Sequence, residues 1–139
     1  MHDEIMGASL PSVMALAFLG DARHALYVRE RLVRSGLSKS KDLNREAQKF
    51  VTAEAQAAML RALEDVLLPD ERDVARRAAN SGHLNRPKHA SPADYRAATA
   101  FEAVIGMLAY IGDDERLSEI LNIAHLAVSR QIEETETEK

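Results

Sequence analysis

The chain has no cysteine and no tryptophan. Without thiols there is no disulfide framework and no thiolate metal centre. Aromatic residues make up only 4 %, too few for the stacking platforms that hold single-stranded nucleic acids. No apolar run approaches the roughly 18 residues that span a bilayer. The start, Met1-His-Asp-Glu-Ile5, is acidic and lacks the basic lead of a signal peptide. These absences predict a soluble, cytoplasmic protein with no membrane association. No stretch alternates apolar and polar residues with a period of two, so no strand is expected and the fold class is all-α.

What is present is 46 % apolar residue spread through 139 positions, enough for one domain with a real core. Helix signals recur along it. Ser9 and Pro11 suit a first helix running to about Ser35, with Gly36 as its stop. Ser38 or Ser40 starts a second, to about Phe50. Thr52 caps a third, from Ala53 to about Leu67, and Pro69 opens a fourth that ends near Ser81. Gly82 to Ala90 reads as a loop. Ser91-Pro92-Ala93-Asp94 caps a fifth helix to Ile111, stopped by Gly112. Asp113 opens a sixth to about Ile132. On this reading residues 1–132 form the domain and 133–139 an acidic, disordered tail.

The net charge is −4, with 18 Lys and Arg against 22 Asp and Glu. The sum hides an uneven distribution. Between Arg72 and Arg96 stand six cations (Arg72, Arg76, Arg77, Arg86, Lys88, Arg96) and two acids (Asp73, Asp94), a local excess of four. Glu133 to Lys139 holds four acids and one base. A basic middle is therefore masked by an acidic end.

Two apolar stretches each carry one carboxylate and one glycine. The first is Met14-Ala-Leu-Ala-Phe-Leu-Gly-Asp-Ala-Arg-His-Ala-Leu-Tyr27. Phe18, Ala22, Ala25 and Leu32 recur at helical spacing and predict the buried face, with Asp21 projecting into dry surroundings that demand a partner. Gly20 costs about 1 kcal/mol in a helix relative to alanine, which predicts close approach of another backbone or room for a ligand. The second stretch, Thr99-Ala-Phe-Glu-Ala-Val-Ile-Gly-Met-Leu-Ala-Tyr110, repeats the design with Glu102 and Gly106. Packed together, the two helices would bring two acids to one place. His24, one turn past Asp21, is read as a surface or hydrogen-bonded neighbour rather than a ligand.

Leu16-Ala-Phe-Leu-Gly-Asp-Ala22 and Thr99-Ala-Phe-Glu-Ala-Val-Ile-Gly106 resemble the two signature helices of the ribonuclease III catalytic domain. The resemblance covers roughly residues 10 to 128. It is closer to the Mini-III branch, which has no double-stranded-RNA-binding domain and also carries alanine and threonine at the positions of Ala17 and Thr99. In longer family members those two positions hold further metal-binding acids. The resemblance implies a ribonuclease III-like helical bundle, and Mg2+ held by Asp21 and Glu102 as catalytic and metal ligands. Two carboxylates suffice in principle, because magnesium keeps several waters. It also implies a homodimer whose two sites lie along one cleft. The substrate that the resemblance implies is double-stranded ribosomal RNA precursor, trimmed to mature 23S ends, with a ribosomal protein presenting it.

The basic segment resembles the Mini-III pattern of an R-G-R-N cluster followed by a Pro-Lys loop. It keeps Arg77, Asn80 and Pro87-Lys88, with Ala78 and Ala79 between the first two. Arg77, Asn80, Arg86, Lys88 and Arg96 are the expected RNA-binding residues, reaching phosphates and ribose hydroxyls across the wide minor groove of A-form RNA. On charge alone the same segment reads as a solvated helix face, with Arg76 paired to an acid. A second function stays open, a non-catalytic helical module that binds RNA or a ribosomal protein. Asp21 and Glu102 lying far apart, or paired with arginines, would favour it.

Overall fold

The computed structural model describes residues 9–81 and 89–138. Among them the chain forms helices α1 (Val13–Arg34), α2 (Ser40–Val51), α3 (Ala53–Ala62), α4 (Pro69–Ala79), α5 (Pro92–Ile111) and α6 (Asp114–Glu138), and no strand. No described helix is long and apolar enough to cross a membrane.

Helix α5 is the central rod. From Ala98 to Leu108 every residue but Glu102 is buried, and α1, α3 and α4 pack around it. A helix buried on all sides needs apolar residues on all sides, and this stretch supplies them. Phe101, Ile105 and Leu108 meet a core that includes Leu16, Met59 and Leu63. Each such large side chain contributes roughly 1.5–3 kcal/mol by leaving water. Helix α6 adds a stripe of Leu117, Ile120, Leu121, Ala124 and Val128 and packs on α3.

Helices α1 and α5 cross antiparallel at a pair of glycines. A Cβ on Gly20 would overlap the backbone carbonyl of Glu102, and one on Gly106 would overlap that of Leu16. The expected backbone approach at Gly20 is thus made by the second glycine stretch. Alanine at either position would have to push two backbones apart.

Several boundaries differ from the sequence expectation. The cap of α1 is Ser12, whose hydroxyl accepts from the Ala15 amide at 3.1 Å, rather than Ser9. Helix α3 ends at Ala62, and Leu63 to Val66 turn instead of continuing to Leu67. Gly112 adopts φ 77°, the left-handed stop that α5 needs. Helix α6 runs to Glu138 rather than stopping near Ile132. Acids at a helix C-terminus oppose its dipole. Here the Thr135 and Thr137 hydroxyls donate to the carbonyls of Gln131 (3.0 Å) and Glu133 (2.8 Å), and Lys49 pairs with Glu136 at 2.9 Å.

The phase of α1 also differs. Its buried residues are Leu16, Ala17, Gly20, His24 and Val28. Phe18 is 84 % exposed and Ala22 is exposed, so the first half of the face expected inside lies outside, while Ala25 and Leu32 are partly buried and Leu32 packs against the core. Small apolar residues occur on both sides of this helix, and periodicity alone did not phase it. The glycine crossing does.

Candidate active site

The glycine crossing sets Asp21 and Glu102 against each other. Gly20 touches the backbone of Glu102, and Asp21 is the next residue of α1. Asp21 is exposed, contrary to the dry setting expected for it, because it lies one residue beyond the buried contact. Glu102 is half-buried. Burial, above all, pushes its carboxyl up to about 8. A hydrogen bond to Asp21 and the like charge of that carboxylate add to the shift, and an amide donor from Gln56 opposes it. Among the described residues no lysine or arginine pairs with either acid.

Two residues not expected at the site complete it. Gln56, 3 % exposed on α3, places its Nε2 3.4 Å from Glu102 Oε2 and 3.2 Å from His24 Nδ1. His24 is 1 % exposed and stands edge-on to Phe101, centroids 5.1 Å apart. Burial, first, and then His125 pull the His24 imidazole down to about 4, with Asp21 opposing. The hydrogen-bonded reading of His24 holds, but it is a core residue rather than a surface one. Gln56 carried one sequence signal, a lone amide inside Ala55-Gln-Ala-Ala-Met59.

The positions where longer family members carry acids are closed. Ala17 is 5 % exposed and Thr99 6 %. The Thr99 hydroxyl is committed to the Tyr95 carbonyl at 2.9 Å. No cluster of three or more His, Cys, Asp or Glu side chains suited to a metal exists among the described residues. The donor set is therefore two carboxylates. It suits a hard cation that retains most of its water, as magnesium does. A cation there would also reverse the preference of Glu102 for its neutral form.

The expected RNA-binding residues are placed unevenly. Arg77 is tied to Asp73 through Nε at 3.0 Å, and Arg76 reaches the same carboxylate at 2.7 Å. Asn80 is exposed at the C-terminal cap of α4. Arg96 is exposed near the start of α5. Arg86 and Lys88 lie outside the described residues. The end of α4 does approach the face of α1 that carries Asp21. The Ser81 hydroxyl lies 3.3 Å from the Met14 sulfur, and Met14, Phe18 and Asp21 share that face at i, i+4 and i+7. Two turns of helix, about 10 Å, separate Met14 from Asp21.

Comparison with known proteins agrees with this arrangement. Residues 14–113 match the family model described as the ribonuclease III domain. The chain is 47 % identical over 111 residues to the Mini-ribonuclease 3 of Symbiobacterium thermophilum, covering 80 % of this chain and 85 % of the relative. It is 41 % identical over 120 residues to that of Brevibacillus brevis, covering 86 % and 90 %. A crystal structure of a Fusobacterium nucleatum protein superposes with a TM-score of 0.73 at 29 % identity, covering 81 % of this chain and 89 % of the other.

Proposed function

The chain belongs to the ribonuclease III family, as an endoribonuclease of the Mini-III type, and on that premise we propose that it cuts double-stranded RNA with magnesium and trims 23S ribosomal RNA precursor in the cytoplasm. Residues 1–132 are taken as the catalytic unit. One observation carries the reading. Two carboxylates from crossing helices meet at the surface, one with a pKa of about 8, and no described cation serves them.

Asp21 and Glu102 would hold the magnesium, which when bound supplies an activated water and neutralises charge at the leaving oxygen. Asp21, exposed, meets the arriving phosphate backbone. Glu102 is kept in place by the glycine crossing and by the Gln56 amide. Arg77, Asn80, Arg86, Lys88 and Arg96 bind phosphates and 2′-hydroxyls of the duplex. The exposed apolar side chains Met14, Phe18 and Tyr110 support a homodimer, in which a second copy covers them and each site cuts one strand. A ribosomal protein bound to the precursor would present it.

The test is cleavage of a duplex precursor RNA by the purified protein, with magnesium and with chelator. Cuts at the mature 23S ends, in magnesium alone, are expected. RNA bound but intact in both conditions would establish the non-catalytic module instead.

A further inference from the structure

We propose that Gln56 is a positioning residue for Glu102, itself held in one orientation by His24. The inference rests on the reading of Asp21 and Glu102 as the metal site.

Three helices supply the three groups. His24 comes from α1, Gln56 from α3 and Glu102 from α5. The Gln56 Nε2 carries two N–H donors, and two acceptors lie within reach, His24 Nδ1 at 3.2 Å and Glu102 Oε2 at 3.4 Å. For Nδ1 to accept, the neutral imidazole must carry its proton on Nε2. The opposite amide orientation would set the Gln56 carbonyl oxygen against the Nδ1 lone pair and against a carboxylate oxygen. With the ring proton on Nε2 and Glu102 ionised, as a bound cation would keep it, both contacts would be repulsive, and in that state the amide has one favourable orientation, with its donors toward Glu102. The ring that enforces this is itself fixed. His24 is buried and stands at 87° to Phe101, a core residue with no exposure.

Packing alone does not call for an amide here. Methionine has nearly the same length and shape, and costs less to bury than a group that must keep its hydrogen bonds. What the amide adds is a directed N–H on the one acid of α5 that keeps solvent exposure between Ala98 and Leu108. Hydrogen bonds that orient a ligating carboxylate typically change metal affinity by about 10- to 100-fold.

The experiment measures manganese binding to the RNA-free protein by electron paramagnetic resonance, with melting curves in chelator. The proteins are the wild type, Glu102→Gln, Gln56→Met, His24→Asn and His24→Leu. Gln56→Met is expected to bind manganese at least about 10-fold more weakly while melting close to the wild type. His24→Asn offers an acceptor oxygen near the place of Nδ1 and should retain more affinity than His24→Leu, which offers none. Wild-type affinity in Gln56→Met, with binding lost in Glu102→Gln, would overturn the role of Gln56 and leave the metal site standing. Wild-type affinity in Glu102→Gln would overturn both. Should Gln56→Met not fold, the His24 pair decides, and equal affinities in the two would overturn the proposal.

Discussion

Two glutamates in this protein meet opposite fates. Glu71, on α4, has no solvent exposure, yet every demand of its charge is met. Arg116 of α6 grips it with Nε to Oε2 at 2.8 Å and a terminal nitrogen to Oε1 at 2.7 Å, and the Leu68 amide donates at 2.8 Å. The same guanidinium caps the Val66 carbonyl at 2.9 Å, so the pair ties α4 and α6 to the turn between α3 and α4. Its hydrogen bond to Glu71 is the first of the causes that raise the Arg116 pKa. Glu102 is less buried and far worse served. Its neighbours are a second carboxylate and one amide. Burial therefore does not mark a functional acid. A missing counter-charge does, because the protein leaves there an electrostatic deficit that a ligand can fill.

The largest effects come from exchanging the two acids' roles by mutation. Glu102→Gln, like Asp21→Asn, should lower cleavage by at least about 10³-fold, equivalent to about 4 kcal/mol of transition-state stabilisation. In chelator its unfolding midpoint should stay level or rise. Glu71→Gln should do the reverse, costing about 3 kcal/mol of stability in urea titration because Arg116 loses its buried counter-charge and keeps only the exposed Glu119. Its turnover per folded molecule should hold. A Glu102→Gln protein that unfolds early yet still cleaves would erase the contrast.

Next in size is the pH dependence of melting without metal. The folded pKa of Glu102, about 8, lies above its ordinary 4.5. Its contribution to stability is full below pH 4.5 and is lost as pH rises through 8. His24 and, through burial and then Arg31, His125 are both lowered from 6.5 to about 4. Their contribution is present above pH 6.5 and is lost as pH falls through 4. From pH 6.5 to 8 in chelator, the melting temperature of the wild type should fall. Glu102→Gln should flatten that slope, Glu71→Gln should keep it, and added magnesium should oppose it. A wild-type slope unchanged in Glu102→Gln would place the titration elsewhere.

The smallest effect carries the comparison over to cations. Arg77 already has Asp73, whereas Arg96 has no ion-pair partner among the described residues. Arg96→Ala should therefore raise the Michaelis constant more than Arg77→Ala, with turnover nearly unchanged in both. Loss of a phosphate contact should also flatten the salt dependence of RNA binding by about one unit of log–log slope. Equal effects would mean that RNA displaces Asp73 freely.

The order and type of the helices were legible because their punctuation is local. Gly36, Thr52, Pro69, Ser91-Pro92 and Gly112 act through the backbone of a few residues, whatever the rest of the chain does. The meeting of Asp21 and Glu102 was legible because each is the one acid of an apolar stretch that has a glycine within a turn of it. The tertiary structure decided which side of α1 faces inward. Leu16, Ala17 and Gly20 offer an apolar stripe, and so do Met14, Phe18 and Ala22. Only the fit of Gly20 against Gly106 selects between them. It likewise decided the end of α6, where side-chain contacts outweigh an unfavourable helix dipole. Above all it brought Gln56 to His24 and Glu102, which lie 32 and 46 residues away in the chain. No local pattern encodes such a meeting, because it depends on the relative placement of three separate helices, and that is settled only when the core is packed.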